Sequence, residues 1–257
     1  TPYLLPEIGA PVYGTDLTLA LIETKLAEHK CEGVDLNVIK AGDTIAVGMF
    51  KIEAIRVTHS IDAALGFAIH TPAGTIVHTG DFKVDYTPVD GRLIDIAKFA
   101  QLGDQGVLAL LSDSTNAENP GYTMSESKVG DMFESYFKNA TGRIIVATFA
   151  SNIHRLQQVI SASKRYGRKL CLTGRSMLKI AKIAKELGYL YLDEDLLIEP
   201  EEDVRAVVAT EPEVELVGFR RFEHSADRGQ GSELIGPGGS PSFKYVLYDW
   251  FDRPSVA

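Results

Sequence analysis

Only two cysteines, Cys31 and Cys171, occur in 257 residues, too few and too far apart to build a disulfide framework. Each sits near an apolar run, which predicts reduced thiols, buried or partly buried, and favours a cytoplasmic home. No run of eighteen apolar residues occurs, so neither a membrane span nor a membrane partner is expected. The opening Thr-Pro-Tyr-Leu-Leu-Pro-Glu-Ile-Gly-Ala has no basic segment, no long apolar segment and no initiating Met. It reads as the middle of a longer chain and not as a signal peptide. Acidic side chains are missing from Arg143 through Lys185, although the chain carries a net charge of -9. That stretch holds Arg143, Arg155, Lys164, Arg165, Arg168, Lys169, Arg175, Lys179, Lys182 and Lys185, with acids clustered afterwards at 186–203. A basic lobe on an acidic protein predicts a local landing site for a polyanion; the alternative is a set of solvated helix faces.

What is present suffices for one large core or two moderate ones, with 45% hydrophobic residues. Residues 15–30 carry Leu17, Leu21 and Leu26 on one side, an amphipathic helix with Thr15 or Asp16 as cap. Residues 34–38, 44–47 and 50–55 alternate as strands, punctuated by Gly42-Asp43 and Gly48. A helix is expected over 92–101 and a fully buried strand over 106–111, so the first 112 residues read as mostly antiparallel strands with helices outside. From about residue 120 the rhythm changes. Helices over 125–138, 153–165 and 177–187 alternate with strands over 144–149 and 169–173, which predicts βαβ units on a parallel sheet. The tail from Glu211 is rich in breakers and is left outside the core.

Chemistry gathers first at Val57-Thr58-His59-Ser60 and Ile76-Val77-His78-Thr79-Gly80-Asp81-Phe82. The apolar runs 64–69 and 75–77, joined by Thr71-Pro72-Ala73-Gly74, form a hairpin, and a hairpin brings His59 and Asp81 together at its open end. An imidazole and a carboxylate on rigid strand ends suit a borderline metal such as zinc. Gly80 lets the backbone turn sharply and aim Asp81. A lone strand-end His is more often a satisfied polar residue, and two ligands do not complete a site, since zinc takes about four and a metal pair six or more. His70 and His78, inside the hairpin, are read as structural. His154 is left open between a core or capping role and an approach to a ligand. Asp113, in Ser112-Asp113-Ser114-Thr115-Asn116 after a strand, is placed to act as acid or base or to orient a metal-bound water. An Asx-turn or cap is the plainer reading for Ser114 or Thr115. Phe149-Ala150-Ser151-Asn152 and Gly174-Arg175-Ser176 are strand-to-helix junctions whose helix N-termini suit anions, with Phe149 available to stack on a base.

The order of these strings resembles the ribonuclease J family, in the β-CASP branch of the metallo-β-lactamase superfamily. The resemblance rests on PVYGT at 11–15, VTHSI at 57–61, IVHTGDFK at 76–83, TPVDG at 87–91, GVLALLSDSTNAE at 106–118, GRIIVATFASNIHRLQQVI at 142–160, GRSM at 174–177 and ELGYL at 186–190. It implies an α/β protein. Residues 1–118 would be an αββα metallo-β-lactamase domain, incomplete, with a β-CASP domain over 119–210 inserted in that fold, and 211–257 an atypical tail. It implies endonuclease and 5′-to-3′ exonuclease action on single-stranded RNA in RNA processing and decay, run by two zinc ions. His59 matches a metal ligand and Asp81 the carboxylate bridging both metals. Asp113 matches the acidic motif opening the β-CASP region. Phe149, Ala150, Ser151 and Asn152 match the turn that contacts RNA, with Arg175 and Ser176 on the neighbouring junction. Homodimers or homotetramers are implied for the complete protein.

Departures from the family pattern accompany the matches. The family's HxHxDH motif would fall before Thr1, and its later His motifs would follow residue 210, where this chain shows no equivalent. His224 lies in an unrelated string, Asp62-Ala63 stands where Pro-Asp is usual, and the tail suggests a frameshift or a fragment boundary. The expectation is a nuclease whose 257 residues alone are inactive. Two rivals stand beside it: another metallo-β-lactamase-fold hydrolase, acting on DNA or a small ester, and a non-catalytic RNA-binding fragment.

Overall fold

The computed structural model describes residues 2–115, 117–141 and 144–198, with the backbone alone of strands 214–218 and 245–247. The chain forms two compact units, which divide after Ser125. Both are mixed α/β.

The first unit opens with a short helix α1 (Leu5–Ile8), strand β1 (Val12–Gly14), helix α2 (Asp16–Glu28) and strand β2 (Leu36–Val38). β1 and β2 pair in parallel as a separate two-stranded sheet. Five strands then build the main sheet: β3 (Thr44–Val47), β4 (Phe50–Arg56), β5 (Leu65–Thr71), β6 (Gly74–His78) and, after helix α3 (Ile96–Gln105), β7 (Ala109–Leu111). β3 to β6 run antiparallel in sequence order, and β7 joins β6 in parallel. The expected hairpin is present. Thr71 pairs with Gly74 across Pro72-Ala73, and the Thr71 hydroxyl closes the turn by donating to the Gly74 carbonyl at 2.8 Å. Period-two alternation puts Ile55, Ala68 and Val77 on one sheet face, where Leu102 of α3 covers them with Phe99 and Val107. Ile55, Val77 and Leu102 each contribute about 1.5–3 kcal/mol by burial.

Two expectations shift. The helix expected over 92–101 starts at Ile96, because the Asp95 side chain accepts the Lys98 N–H at 3.0 Å and fixes the start there. The strand expected to be fully buried over 106–111 is a three-residue edge strand. Leu108, Leu110 and Leu111 are 60%, 62% and 52% exposed, because among the described residues nothing pairs with β7 on its outer side.

The second unit alternates helix and strand as expected: α4 (Glu126–Asn139), β8 (Ile144–Val146), α5 (Ile153–Arg165), β9 (Lys169–Thr173) and α6 (Arg175–Glu186), then a 3-10 turn (Glu194–Leu196). Strand β8 is shorter than expected, since residues 147–149 leave the sheet and turn toward α5. Strands β10 (Val214–Gly218) and β11 (Tyr245–Leu247) lie within the tail expected to stand outside the core. They pair into one parallel sheet of order β11-β8-β10-β9. The apolar register Val214, Leu216, Val217 accounts for β10. The rest of the tail, including the string around His224 and the breaker-rich segments, lies outside the described residues. Phe133, Phe137, Ile144, Val146, Leu156, Val159, Leu170 and Met177 form the interior, with Phe133 and Phe137 edge to face at 6.2 Å. Cys171 is buried on β9 and Cys31 is half-buried, both as free thiols. Among the described residues, no helix is long and apolar enough to cross a membrane.

Candidate active site

The site in the first unit is built where β4, β6 and β7 end. After β4 the chain continues through Val57 and Thr58 to His59, and after β6 through Thr79 and Gly80 to Asp81. The two segments are clasped: the Lys83 N–H donates to the Thr58 carbonyl at 2.7 Å, and the Thr58 hydroxyl donates to the Lys83 carbonyl. The clasp places His59 Nε2 3.9 Å from Asp81 Oδ2. That is too long for a hydrogen bond. It is close to the roughly 3.4 Å separating two ligand atoms on one tetrahedral zinc about 2.0–2.1 Å from each. Asp81 is mostly exposed, so its carboxylate has an open side for a ligand.

The backbone around Asp81 is fixed by its neighbours. Gly80 sits at φ +63°, and a Cβ there would stand 2.5 Å from the Leu65 carbonyl oxygen. Its N–H donates to His78 Nδ1 at 3.0 Å, which gives His78 the structural role expected of it. His70 is structural too, between Thr75 Oγ1 at 3.1 Å and Glu53 Oε2 at 3.7 Å. Glu53 is held below its ordinary carboxylate range first by a hydrogen bond from Lys98, 2.7 Å away, with burial opposing. The loop after His59 is anchored by Asp62, which is buried and accepts from Arg92 Nη2 at 2.8 Å; Arg92 also bonds Asp90 at 2.9 Å. Ala63, where the family pattern is also broken, adopts a left-handed φ of +57°.

Asp113 follows β7 and faces the same end. Its own N–H donates to the Thr79 hydroxyl at 3.0 Å, and the Thr79 N–H donates to the Leu111 carbonyl at 3.0 Å. The Asx-turn weighed for this segment is present and is made by Asp113 itself, which accepts from the Thr115 amide at 2.9 Å and hydroxyl at 2.7 Å. These bonds from Thr115, amide first, hold the Asp113 carboxyl below the ordinary carboxylate range. The Phe82 amide and the charge of nearby His59 add to them, and burial opposes. Asp113 is therefore ionised at neutral pH, a ligand, base or orienting group and not a proton donor. His59 and Asp81 form a close imidazole–carboxylate pair suited to a divalent metal, and Asp113 lies near enough to feel the charge of His59.

In the second unit all four strands of the sheet run the same way, so both strand-to-helix junctions leave from its carboxyl edge, the ligand-binding edge of open α/β sheets. The two differ. At the first, Phe149 is 56% exposed, Ala150 is buried and Ser151 half-buried. Asn152 is buried, and its side-chain oxygen caps α5 by accepting the Arg155 N–H at 3.1 Å. Arg155 is buried as well and pairs with Glu126 at 3.0 Å, tying the start of α5 to the start of α4. At the second junction Gly174 provides no side-chain cap for α6, and Arg175 and Ser176 are exposed. Half-buried His154 lies in the first turn of α5.

The basic lobe is largely neutralised. The acids clustered after residue 186 fold back on it, so Lys164 pairs with Asp193 at 2.6 Å and Lys185 with Glu194. Glu134 takes Arg165 at 2.7 Å. Charge segregated along the sequence is mixed in space. Arg168 and Lys169 bond backbone carbonyls, and among the described residues Arg175 has no carboxylate partner, which leaves a positive charge at the second junction. The signals missed in the sequence were the hydroxyls Thr58, Thr79 and Thr115, each adjacent or close to a chosen His or Asp, and the anchors Arg92 and Arg155.

A family model described as ribonuclease J, β-CASP domain, matches residues 141–214. Ribonuclease J of Thermus thermophilus is 49% identical over 203 residues, covering 76% of this chain and 35% of that protein. Ribonuclease J of Helicobacter pylori is 47% identical over 204 residues, covering 79% of this chain and 30% of that protein. Ribonuclease J2 of Bacillus subtilis is 39% identical over 234 residues, covering 88% and 42%. The chain thus spans about a third of the length of the first two relatives. A solved structure of a protein of unknown function from Enterococcus faecalis has the same fold, with TM-score 0.59 over 82% of this chain and 53% of that chain at 15% identity. With identities of 39–49% over most of its length, the chain belongs to the ribonuclease J family.

Proposed function

We propose that this chain carries part of a metal-dependent ribonuclease that hydrolyses phosphodiester bonds in single-stranded RNA, by endonucleolytic and 5′-to-3′ exonucleolytic cleavage. The observation that carries the reading is the 3.9 Å pair of His59 and Asp81 at adjoining strand ends, with Asp113 close enough to feel the charge of His59. His59 and Asp81 are the residues that would hold a metal, with zinc the ion and Asp81 able to reach two ions through its two oxygens. Bound zinc would supply Lewis-acid activation of water and neutralise charge developing on the phosphate. Asp113, ionised and fixed by Thr115, orients the attacking water or accepts its proton. In the second unit Phe149 offers a stacking face for an unpaired base, Ser151 faces the phosphate, and Ala150 and Asn152 shape that turn. The open amides of α6 with Arg175 and Ser176 take a phosphate. Stacking on splayed bases favours single strands over duplex. The domain reading of a metallo-β-lactamase part followed by a β-CASP part, a cytoplasmic setting and dimeric or tetrameric assembly belong to the same proposal.

A second reading has an observation of its own. Three donors are a minority of the ligands a zinc pair needs. This chain taken alone would then bind RNA without cutting it. The test is cleavage of a 5′-labelled single-stranded RNA with added zinc, beside a single-stranded DNA and a duplex RNA of equal length. Cleavage of the RNA alone, stopped by a chelator and lost in Asp81→Asn, supports the nuclease. Retention of RNA without any cleavage supports the second reading. Equal cleavage of DNA points to a different hydrolase on this fold.

A further inference from the structure

Thr79 carries an arrangement that the proposed chemistry has not used. It is 6% exposed and lies between the end of β6 and the Gly80-Asp81 turn. Its hydroxyl donates to the Gly80 carbonyl at 2.8 Å and accepts the Asp113 N–H at 3.0 Å. Its N–H donates to the Leu111 carbonyl at 3.0 Å, two residues before Asp113. One side chain therefore grips the peptide unit that leads into Asp81 and the amide of Asp113 together. The opposite side of the same turn is closed by the His78 imidazole on the Gly80 N–H and by the Leu65 carbonyl, which leaves no room for a Cβ at Gly80.

We infer that Thr79 is a positioning residue: its hydroxyl bolts the strand end bearing Asp81 to the strand end bearing Asp113, and so sets the separation of the two carboxylates. This rests on the reading above of Asp81 as a metal ligand and Asp113 as the group that orients water beside it. A hydroxyl is required because one group must donate and accept at once, to a carbonyl on one side and an amide on the other. Serine meets that need. Valine keeps the shape and loses both bonds. Residues that orient metal ligands through such bonds typically change metal affinity about 10–100-fold when removed.

The test uses the ¹⁵N-labelled chain with Thr79→Val and Thr79→Ser, and Asp81→Ala as a control on the metal reading. Two quantities are read: hydrogen exchange at the Asp113 amide, and the zinc dissociation constant from shifts at His59, Asp81 and Asp113. The expected result is faster Asp113 exchange and zinc affinity at least about 10-fold weaker in Thr79→Val, with Thr79→Ser within about 3-fold of the parent on both. Melting temperature shows whether the valine variant is folded; a merely structural role would lower it in both variants in step with the affinity and would give no rescue by serine. Unchanged Asp113 exchange and unchanged affinity in Thr79→Val overturn the inference while leaving the metal reading intact, provided Asp81→Ala loses the zinc response. No zinc response at His59 or Asp81 in the parent chain overturns the metal reading and the positioning role with it.

Discussion

The strand ends of the first unit and the helix starts of the second present polar groups in opposite ways. Around His59, Asp81 and Asp113 the backbone is tied between segments through Thr58 with Lys83 and Thr79 with Asp113, and within the turn through His78 with Gly80. The carboxylates themselves face outward. Around Phe149 and Arg175 the side chains that could touch a ligand are exposed and the support lies beneath them, in buried Asn152 and Arg155. The difference matches two tasks. A metal site needs ligands fixed within fractions of an ångström, so its precision is built from backbone bonds. A strand-binding surface tolerates sequence and needs open faces with charge, so its precision can be lower.

The sharpest way to break the contrast is from below the second site. Arg155→Ala leaves part-buried Glu126 beside an empty position, and the expected loss is about 2–3 kcal/mol by urea denaturation. A loss under about 1 kcal/mol would mean that the pair does not hold the α5 start. In the first unit, Gly80→Ala forces a Cβ against a backbone carbonyl at a left-handed φ. It should cost about 2–3 kcal/mol and abolish the zinc-induced shift of Asp81; an unchanged denaturation midpoint contradicts this. Phe149→Ala should separate binding from folding. Single-strand RNA affinity falls by about 1–3 kcal/mol while stability moves less than about 0.5 kcal/mol. Ala63→Gly relieves a left-handed alanine and should raise stability by about 1 kcal/mol, read as a higher melting temperature.

The smallest effect is acid dependence. Asp113 has a folded-state pKa below its unfolded value near 3.9, so its ionised form favours folding. That contribution is present above about pH 4 and fades as pH falls through the depressed value. Asp113→Asn should flatten part of the stability loss that sets in as pH falls below about 4, read in urea midpoints. Glu53, lowered chiefly by Lys98, leaves a similar acid limb in place in that variant.

Much of the arrangement was legible in the residues because the signals were local. Period-two alternation and a Pro-containing turn gave the β5–β6 hairpin, and with it the meeting of His59 and Asp81. Repeated strand-to-helix rhythm gave the parallel sheet. What failed was non-local. The leucines of β7 read as a buried strand because apolar composition carries no record of which edge is covered. The acid-free stretch read as a basic lobe because sequence distance hides Asp193 and Glu194, which return to Lys164 and Lys185. Asn152, read as a ligand contact, has in addition a structural role that its place before the helix already permitted: its side-chain oxygen caps α5.

The most direct measurement of the central claim is a zinc titration of the ¹⁵N-labelled chain followed residue by residue. The account predicts that the first and largest shifts fall on His59, Gly80, Asp81 and Asp113, and that Asp81→Ala removes them. Shifts confined to other residues, or none at these four under saturating zinc, would contradict it.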